Sequence, residues 1–89
     1  MEIELLYFGR LREMTGKRQE RVDLREGDRI SDLTSHLREM YGHDLGIRID
    51  YNDHYIILIN GRHHGSLGGS QSLLKAGDQV TFMPVTDGG

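Results

Sequence analysis

The sequence closes on Val85-Thr86-Asp87-Gly88-Gly89, and its final group is the most chemically suggestive in the chain. The α-carboxylate of Gly89 is ionised at neutral pH. It is a competent nucleophile toward the α-phosphate of ATP, an attack that would turn an inert acid into a mixed anhydride. Such chemistry needs a peptide slim enough to enter another enzyme's channel. Gly88 and Gly89 meet that need, because a backbone without Cβ atoms can approach walls, nucleotide and metal closely. The competing reading is a frayed terminus rich in small residues. With 12 glycines in 89 residues, composition alone puts two at a chosen pair of sites roughly 2% of the time, so the rest of the chain must decide.

Other constellations are weaker. The chain has five histidines, but the adjacent pair His63-His64 reads as part of a strand, where neighbours point to opposite faces and cannot chelate one ion together. With a turn at Asn60-Gly61, His63 falls opposite Leu58 and His64 opposite Ile57, neither of them a ligand. His36, His43 and His54 are scattered without ligand spacing. The run GSLGGS (65–70) lacks the Lys-Ser/Thr ending and following helix of a P-loop, and the strand-loop-helix setting of a dinucleotide fingerprint. It reads as a flexible connection. Arg10, Arg12, Arg18 and Arg21 form a basic cluster near the first turn, most simply solvated surface, with docking of an acidic partner as the alternative. No Ser-His-Asp or paired-carboxylate arrangement emerges from the spacing. The absence of cysteine removes disulfides, thiolate metal sites and a thiol nucleophile together.

The elements that must position the tail belong to one domain, since 89 residues are too few for two lobes with a cleft between them. A hydrophobic fraction of 36% with 28% charged residues of both signs describes a chain that folds. Its net charge of −3 argues against nucleic acid as the main partner. The N-terminal MEIELLYF lacks the features of a signal peptide, and no segment reaches the length needed to cross a bilayer. The expectation is a cytoplasmic protein with no membrane contact.

Residues 3–8 are apolar apart from Glu4, which predicts a central strand covered on both faces or nearly so. GRLREMTGK (9–17) suggests a short helical turn closed by Gly16. QERVDL (19–24) alternates as a half-exposed strand, with a turn at 25–28. Ile30, Leu33, Leu37, Met40 and Tyr41 then make one stripe of an amphipathic helix, with Asp28 and Ser31 offering N-cap oxygens and Gly42 ending it. Residues 42–53 read as a polar connection with an extended stretch at 46–49. The dense β-branched and aromatic run 55–59 followed by Asn60-Gly61 predicts a strand and a type I′ turn, with a short return strand at 62–64. A loop at 65–71 and a turn at 72–78 lead to a last strand at 79–84, with Val80 and Phe82 on one face and Pro84 stopping it. The expected fold is α+β, with one main helix laid across one face of a four- or five-stranded mixed sheet. Residues 1–84 form the domain, and 85–89 are a flexible tail.

Taken together, FGRLRE (8–13) after the first strand, the central helix, IILING (56–61) and LLKAGDQVTFMPVTDGG (73–89) make a chain that resembles the MoaD/ThiS family of sulfur carriers over essentially its whole length. The likeness is greatest to small subunits of molybdopterin synthase. It implies a ubiquitin-like β-grasp fold and a carrier rather than an enzyme. An E1-like adenylyltransferase would use MgATP to adenylate Gly89, and sulfur from a persulfide donor would displace AMP to leave a thiocarboxylate. No cofactor would be held permanently. Gly88 would be the slender neighbour. Phe82, Met83, Pro84 and Val85 match the segment that packs on the partner and aims the tail into the synthase large subunit or another sulfur acceptor, with Thr86 and Asp87 lining the mouth of that site. Two departures stand out: Val85 replaces a second proline common in such tails, and Asp87 precedes the glycines. Archaeal ubiquitin-like modifiers share the fold and ending, so protein conjugation targets are the alternative partners. Thiazole-type carriers rank third, and a β-grasp interaction domain with an idle tail is the blandest case.

Overall fold

Alternation along β1 (Glu2–Tyr7) sends Ile3, Leu5 and Tyr7 to one face, and all three are fully buried. The computed structural model describes residues 1–42, 55–63 and 69–84. In chain order β1 is followed by α1 (Arg10–Thr15), β2 (Gln19–Asp23), α2 (Ile30–Tyr41), β3 (Tyr55–Ile59), β4 (Arg62–His63), a 3₁₀ turn (Gly69–Gln71) and β5 (Gln79–Pro84). The five strands form a single mixed sheet in the order β2-β1-β5-β3-β4. β1 and β5 run parallel, with Leu5 opposite Val80 and Tyr7 opposite Phe82, and the other pairings are antiparallel. The first and last strands therefore lie side by side at the centre. Whatever follows Pro84 is launched from a strand paired on both sides.

The core lies between the sheet and α2. Ile30, Leu33, Thr34 and Leu37 of the helix are buried against Ile3, Leu5, Tyr7, Val22, Ile57, Ile59, Val80 and Phe82. Met40, expected in the stripe, is instead 44% exposed. It falls on the margin of the helical face in the last turn, and Tyr41 takes its place against the core. The opposite face of β1 also departs from expectation: Glu4 and Leu6 stay partly exposed, so the strand is central but covered on one face. The six-residue α1 ends at Gly16, whose φ of 73° is the left-handed conformation glycine adopts without strain.

Neither Asp28 nor Ser31 caps α2. Arg29 is the cap residue, and its backbone N–H donates to Asp32 Oδ2 at 2.8 Å. The Asp28 carboxylate accepts instead from the Arg25 N–H and closes the preceding turn. Asn60 and Gly61 both carry positive φ, 52° and 84°, as a type I′ turn requires. Asn60 also fastens the turn to β5. Its side chain donates to Asp78 Oδ1 and accepts from the Gln79 N–H, each at 2.9 Å. The expected extended stretch at 46–49 and the return-strand residue His64 lie outside the described residues.

One polar cluster ties three elements together. Tyr7 donates its hydroxyl to Glu20 Oε2 at 2.6 Å, Tyr41 donates to the same oxygen, and the Lys17 ammonium reaches Glu20 Oε1 at 3.2 Å. Burial alone would raise the Glu20 pKa, but the hydrogen bonds from Tyr41, Tyr7 and Lys17 outweigh it and hold the carboxyl below its ordinary value. Both phenols are pushed up, first by burial and then by the Glu20 carboxylate. The sign follows from linkage: the stabilisation is present above about pH 4.3 and is lost as the pH falls through the lowered folded-state value. Glu20→Gln is expected to cost on the order of 1–3 kcal/mol at pH 7 and to flatten the acid limb of the stability curve. Urea titrations at several pH values check this. An acid limb as steep as that of the wild type would show that Glu20 does not carry it.

Candidate functional site

The site is built at the end of the sheet where β5 finishes. Successive residues of β5 face opposite ways, and this divides the expected partner-binding segment in two. Phe82 is fully buried and stacks on Tyr7, ring centroids 5.9 Å apart and planes 15° from parallel. Its side chain is therefore not available to pack on a partner, which corrects that part of the expectation; its role is to hold the launching strand. Met83 lies on the other face and is 38% exposed. It pairs with Ile56 of β3, and the next row on that face is Leu6, Thr81 and Leu58. Ile56, Leu58 and Leu6 are half-buried. Three adjacent strands thus present an apolar strip beside the end of β5. Pro84 is the last residue of β5, paired with Tyr55. Val85, Thr86, Asp87, Gly88 and Gly89 lie outside the described residues.

The strand end is braced from the α1 side. The Phe8 N–H donates to the Phe82 carbonyl at 3.2 Å. Arg12 donates its Nε–H to the Tyr7 carbonyl at 2.7 Å and lays its guanidinium over the Phe8 ring, 4.6 Å from the centroid. That combines a charge-assisted hydrogen bond with a cation–π contact. The sequence offered Arg12 only as one of a cluster of four; that it is pinned across the end of β1 depends on α1 folding back over the strand. The cluster itself divides. Arg10 and Arg12 lie in α1 directly after β1 and the Arg18 carbonyl accepts from the Tyr7 N–H, which puts these three at the end of the sheet where β5 finishes, whereas Arg21 sits opposite Glu4 and its guanidinium lies 3.8 Å from Glu2. Cations are therefore placed at the end of the sheet where β5 finishes.

Among the described residues, no group of three or more His, Cys, Asp or Glu side chains could hold a metal ion. His63 pairs with Leu58, as the turn predicts, and His36 lies in α2. His43, His54 and His64 are outside the described residues, as are 65–68 of the glycine-rich run. The remainder of that run enters the 3₁₀ turn at Gly69–Gln71, without the helix a phosphate-binding loop needs. No helix among the described residues is long and apolar enough to cross a membrane.

This architecture recurs in known structures. A molybdopterin converting factor subunit 1 from Pyrococcus furiosus, itself described as putative, superposes with a TM-score of 0.76 at 25% identity, over 96% of this chain and 98% of that one. The small archaeal modifier protein 1 of Methanosarcina acetivorans gives a TM-score of 0.80 at 27% identity, over 99% of this chain and 96% of that one. CysO of Mycobacterium tuberculosis, at 22% identity and a TM-score of 0.78 over 94% of this chain and 99% of that one, supports the fold alone. The mixed sheet and crossing helix are those of the ubiquitin-like β-grasp. With the ThiS family model matching residues 5–89, Gly88 and Gly89 included, the chain belongs to the ThiS family of ubiquitin-like sulfur carriers.

Proposed function

We propose that the protein carries sulfur as a thiocarboxylate on Gly89 and donates it in molybdopterin biosynthesis. The observation that carries this reading is that the family match runs through Gly88 and Gly89 while β5, the strand that leads to them, is fixed at the centre of the sheet. Five further residues, fully extended, reach about 17 Å beyond Pro84, enough to enter a channel in another protein. A carboxylate oxygen of Gly89 attacks the α-phosphate of MgATP on an E1-like adenylyltransferase, and pyrophosphate leaves. The terminal sulfur of a persulfide then attacks the acyl carbon and AMP departs. Reduction of the resulting acyl disulfide by a thiol frees the thiocarboxylate. The catalytic groups for these steps reside on partners. This chain contributes the carboxylate, the slender Gly88, and the strip around Met83 that seats the domain, with Val85, Thr86 and Asp87 threading the mouth of the acceptor's site. Likeness to a molybdopterin converting factor subunit supports the synthase large subunit as the acceptor.

Likeness at 27% identity to a small archaeal modifier protein favours a second reading, in which the activated Gly89 is transferred to lysine amines of target proteins. A thiazole-type acceptor is the third. All three share the adenylation step, so the test begins there. Incubated with the adenylyltransferase of its own host, the protein should support MgATP–pyrophosphate exchange. Met83→Asp should raise the carrier concentration needed for half-maximal exchange about tenfold, while changing folding stability by less than about 1 kcal/mol. Unaltered exchange with the Asp variant would remove the strip from the docking surface. Absence of exchange with the wild type would remove the activation itself. Supplying the activated carrier with a purified synthase large subunit and then with cell lysate separates sulfur delivery from lysine conjugation.

A further inference from the structure

At the end of the sheet remote from Pro84, an open groove of about 540 Å³ lies between the Asn60-Gly61 turn and the segment that follows the 3₁₀ turn. Arg29, Arg62 and Lys75 line it, and among the described residues Asp78 is the one acidic group in its wall. The Asp78 carboxylate is already engaged: Oδ1 accepts from the Asn60 amide and Oδ2 from the Lys75 N–H at 2.8 Å. Arg62 and Lys75 are exposed, and the ion pairs among the described residues include neither. In a chain of net charge −3, this leaves a local excess of positive charge.

The groove is also preorganised. Arg29 Nη1 donates to the Gln71 carbonyl at 2.6 Å, which holds the guanidinium against the wall. Leu73 forms a bridge with Arg29, and its flanking residues are fixed by Ile30 N–H to Ser72 carbonyl and Leu74 N–H to Asp28 carbonyl hydrogen bonds, each 3.0 Å. Ser72 and Leu74 turn inward and are buried, while Leu73 is held outward, 54% exposed. A leucine displayed on a paired backbone among three cations is a surface that binds at little cost in ordering.

We propose that this groove docks a short acidic peptide segment carrying an apolar side chain, supplied by a partner protein. Carboxylates of the segment meet Arg62, Lys75 and Arg29, and its apolar side chain covers Leu73. Charge complementarity selects the acidic partner. Among the described residues no aromatic side chain lines the groove, and without one there is no platform on which single-stranded nucleic acid stacks its bases. Six residues of β5 separate the groove from the tail exit by roughly 17 Å. A partner can therefore hold the carrier here while the tail works in a second protein's active site.

The test uses the full chain labelled for backbone amide NMR and a blocked peptide of sequence Asp-Asp-Leu-Asp-Glu. Saturable shifts are expected at Arg29, Arg62, Leu73 and Lys75, with the amides around Met83 unmoved. Binding should weaken with salt. It should weaken roughly tenfold in the double variant Arg62→Glu/Lys75→Glu, and again when the peptide leucine is replaced by serine. Leu73→Ser gives a second, charge-neutral variant with the same expected loss. Both variants should retain dispersed spectra and wild-type activation of Gly89, which separates this surface from the tail chemistry. Shifts spread over Arg10 and Arg18 as strongly as over the groove, or undiminished binding by the variants, would overturn the proposal. So would larger shifts at the same amides with an oligouridylate of equal charge, which would assign the groove to RNA.

Discussion

Removing Gly88 and Gly89 is expected to abolish sulfur loading while leaving the melting temperature within about 2–4 °C of the wild type. The thermal side follows from the fold. The core is closed by residues up to Phe82, and the hydrogen-bonded ladder of β5 ends at Pro84, so the deletion removes no described contact. Changes of this kind cost within about 0.5 kcal/mol, which for a domain of this size is a few degrees at most. The chemical side follows from the group removed. Truncation moves the terminal carboxylate onto Asp87, whose Cβ and charge accompany it into a channel that suits bare backbone. Gly89→Ala is the milder form: one methyl group beside the reacting carbon displaces it by about an ångström, and misplacement on that scale costs about a hundredfold in rate. Differential scanning calorimetry and a single-turnover thiocarboxylation assay read the two halves separately. A variant that melts much earlier would show the diglycine to be part of the folded domain. A truncated chain still loaded with sulfur would show Gly89 to be idle.

Phe82→Ala is expected to do the reverse. The ring is fully buried against Tyr7 in the central strand, and truncating a buried aromatic residue costs about 3–5 kcal/mol through lost transfer energy and the cavity left behind. A domain of 89 residues has roughly 4–13 kcal/mol in total at typical stability per residue. The variant should therefore lose about a quarter of its stability or more and melt about 15–30 °C lower. Sulfur loading at low temperature should persist, because the Phe82 ring is turned into the core. In urea the midpoint should fall with the slope unchanged. A loss below about 1 kcal/mol would mean that the launching strand is held by something other than this packing.

Features fixed by local chemistry could be read from the chain. Asn60-Gly61 announced its turn because few dipeptides accept two successive positive φ values. The spacing of Ile30, Leu33 and Leu37 announced α2 because a 3.6-residue period has no other use in a folded chain. What escaped depends on residues distant in sequence. Glu20 draws Tyr7 and Tyr41 together from 13 and 21 positions away, and nothing near Glu20 marks it. The helix cap fell to Asp32 acting back on Arg29 because Asp28 was already occupied by its own turn. Phe82 and Met83 look alike as apolar residues of one motif, and only the register against β1 and β3 sends one to the core and the other to the open face. The candidate site rests on a different kind of reading: the proposal at Gly89 comes from the covalent chemistry of a carboxylate behind two glycines, and those residues lie outside the described ones.

The central claim is that Gly89 carries sulfur, and intact-mass spectrometry of the protein from its own host, with an untagged C-terminus and its conjugates retained, tests it most directly. The account predicts a species heavier by the replacement of one oxygen with sulfur, reverting on mild hydrolysis and localised by fragmentation to Gly89. A bare carboxylate under every growth condition, or Gly89 found only in isopeptide linkage to lysine side chains, would contradict it.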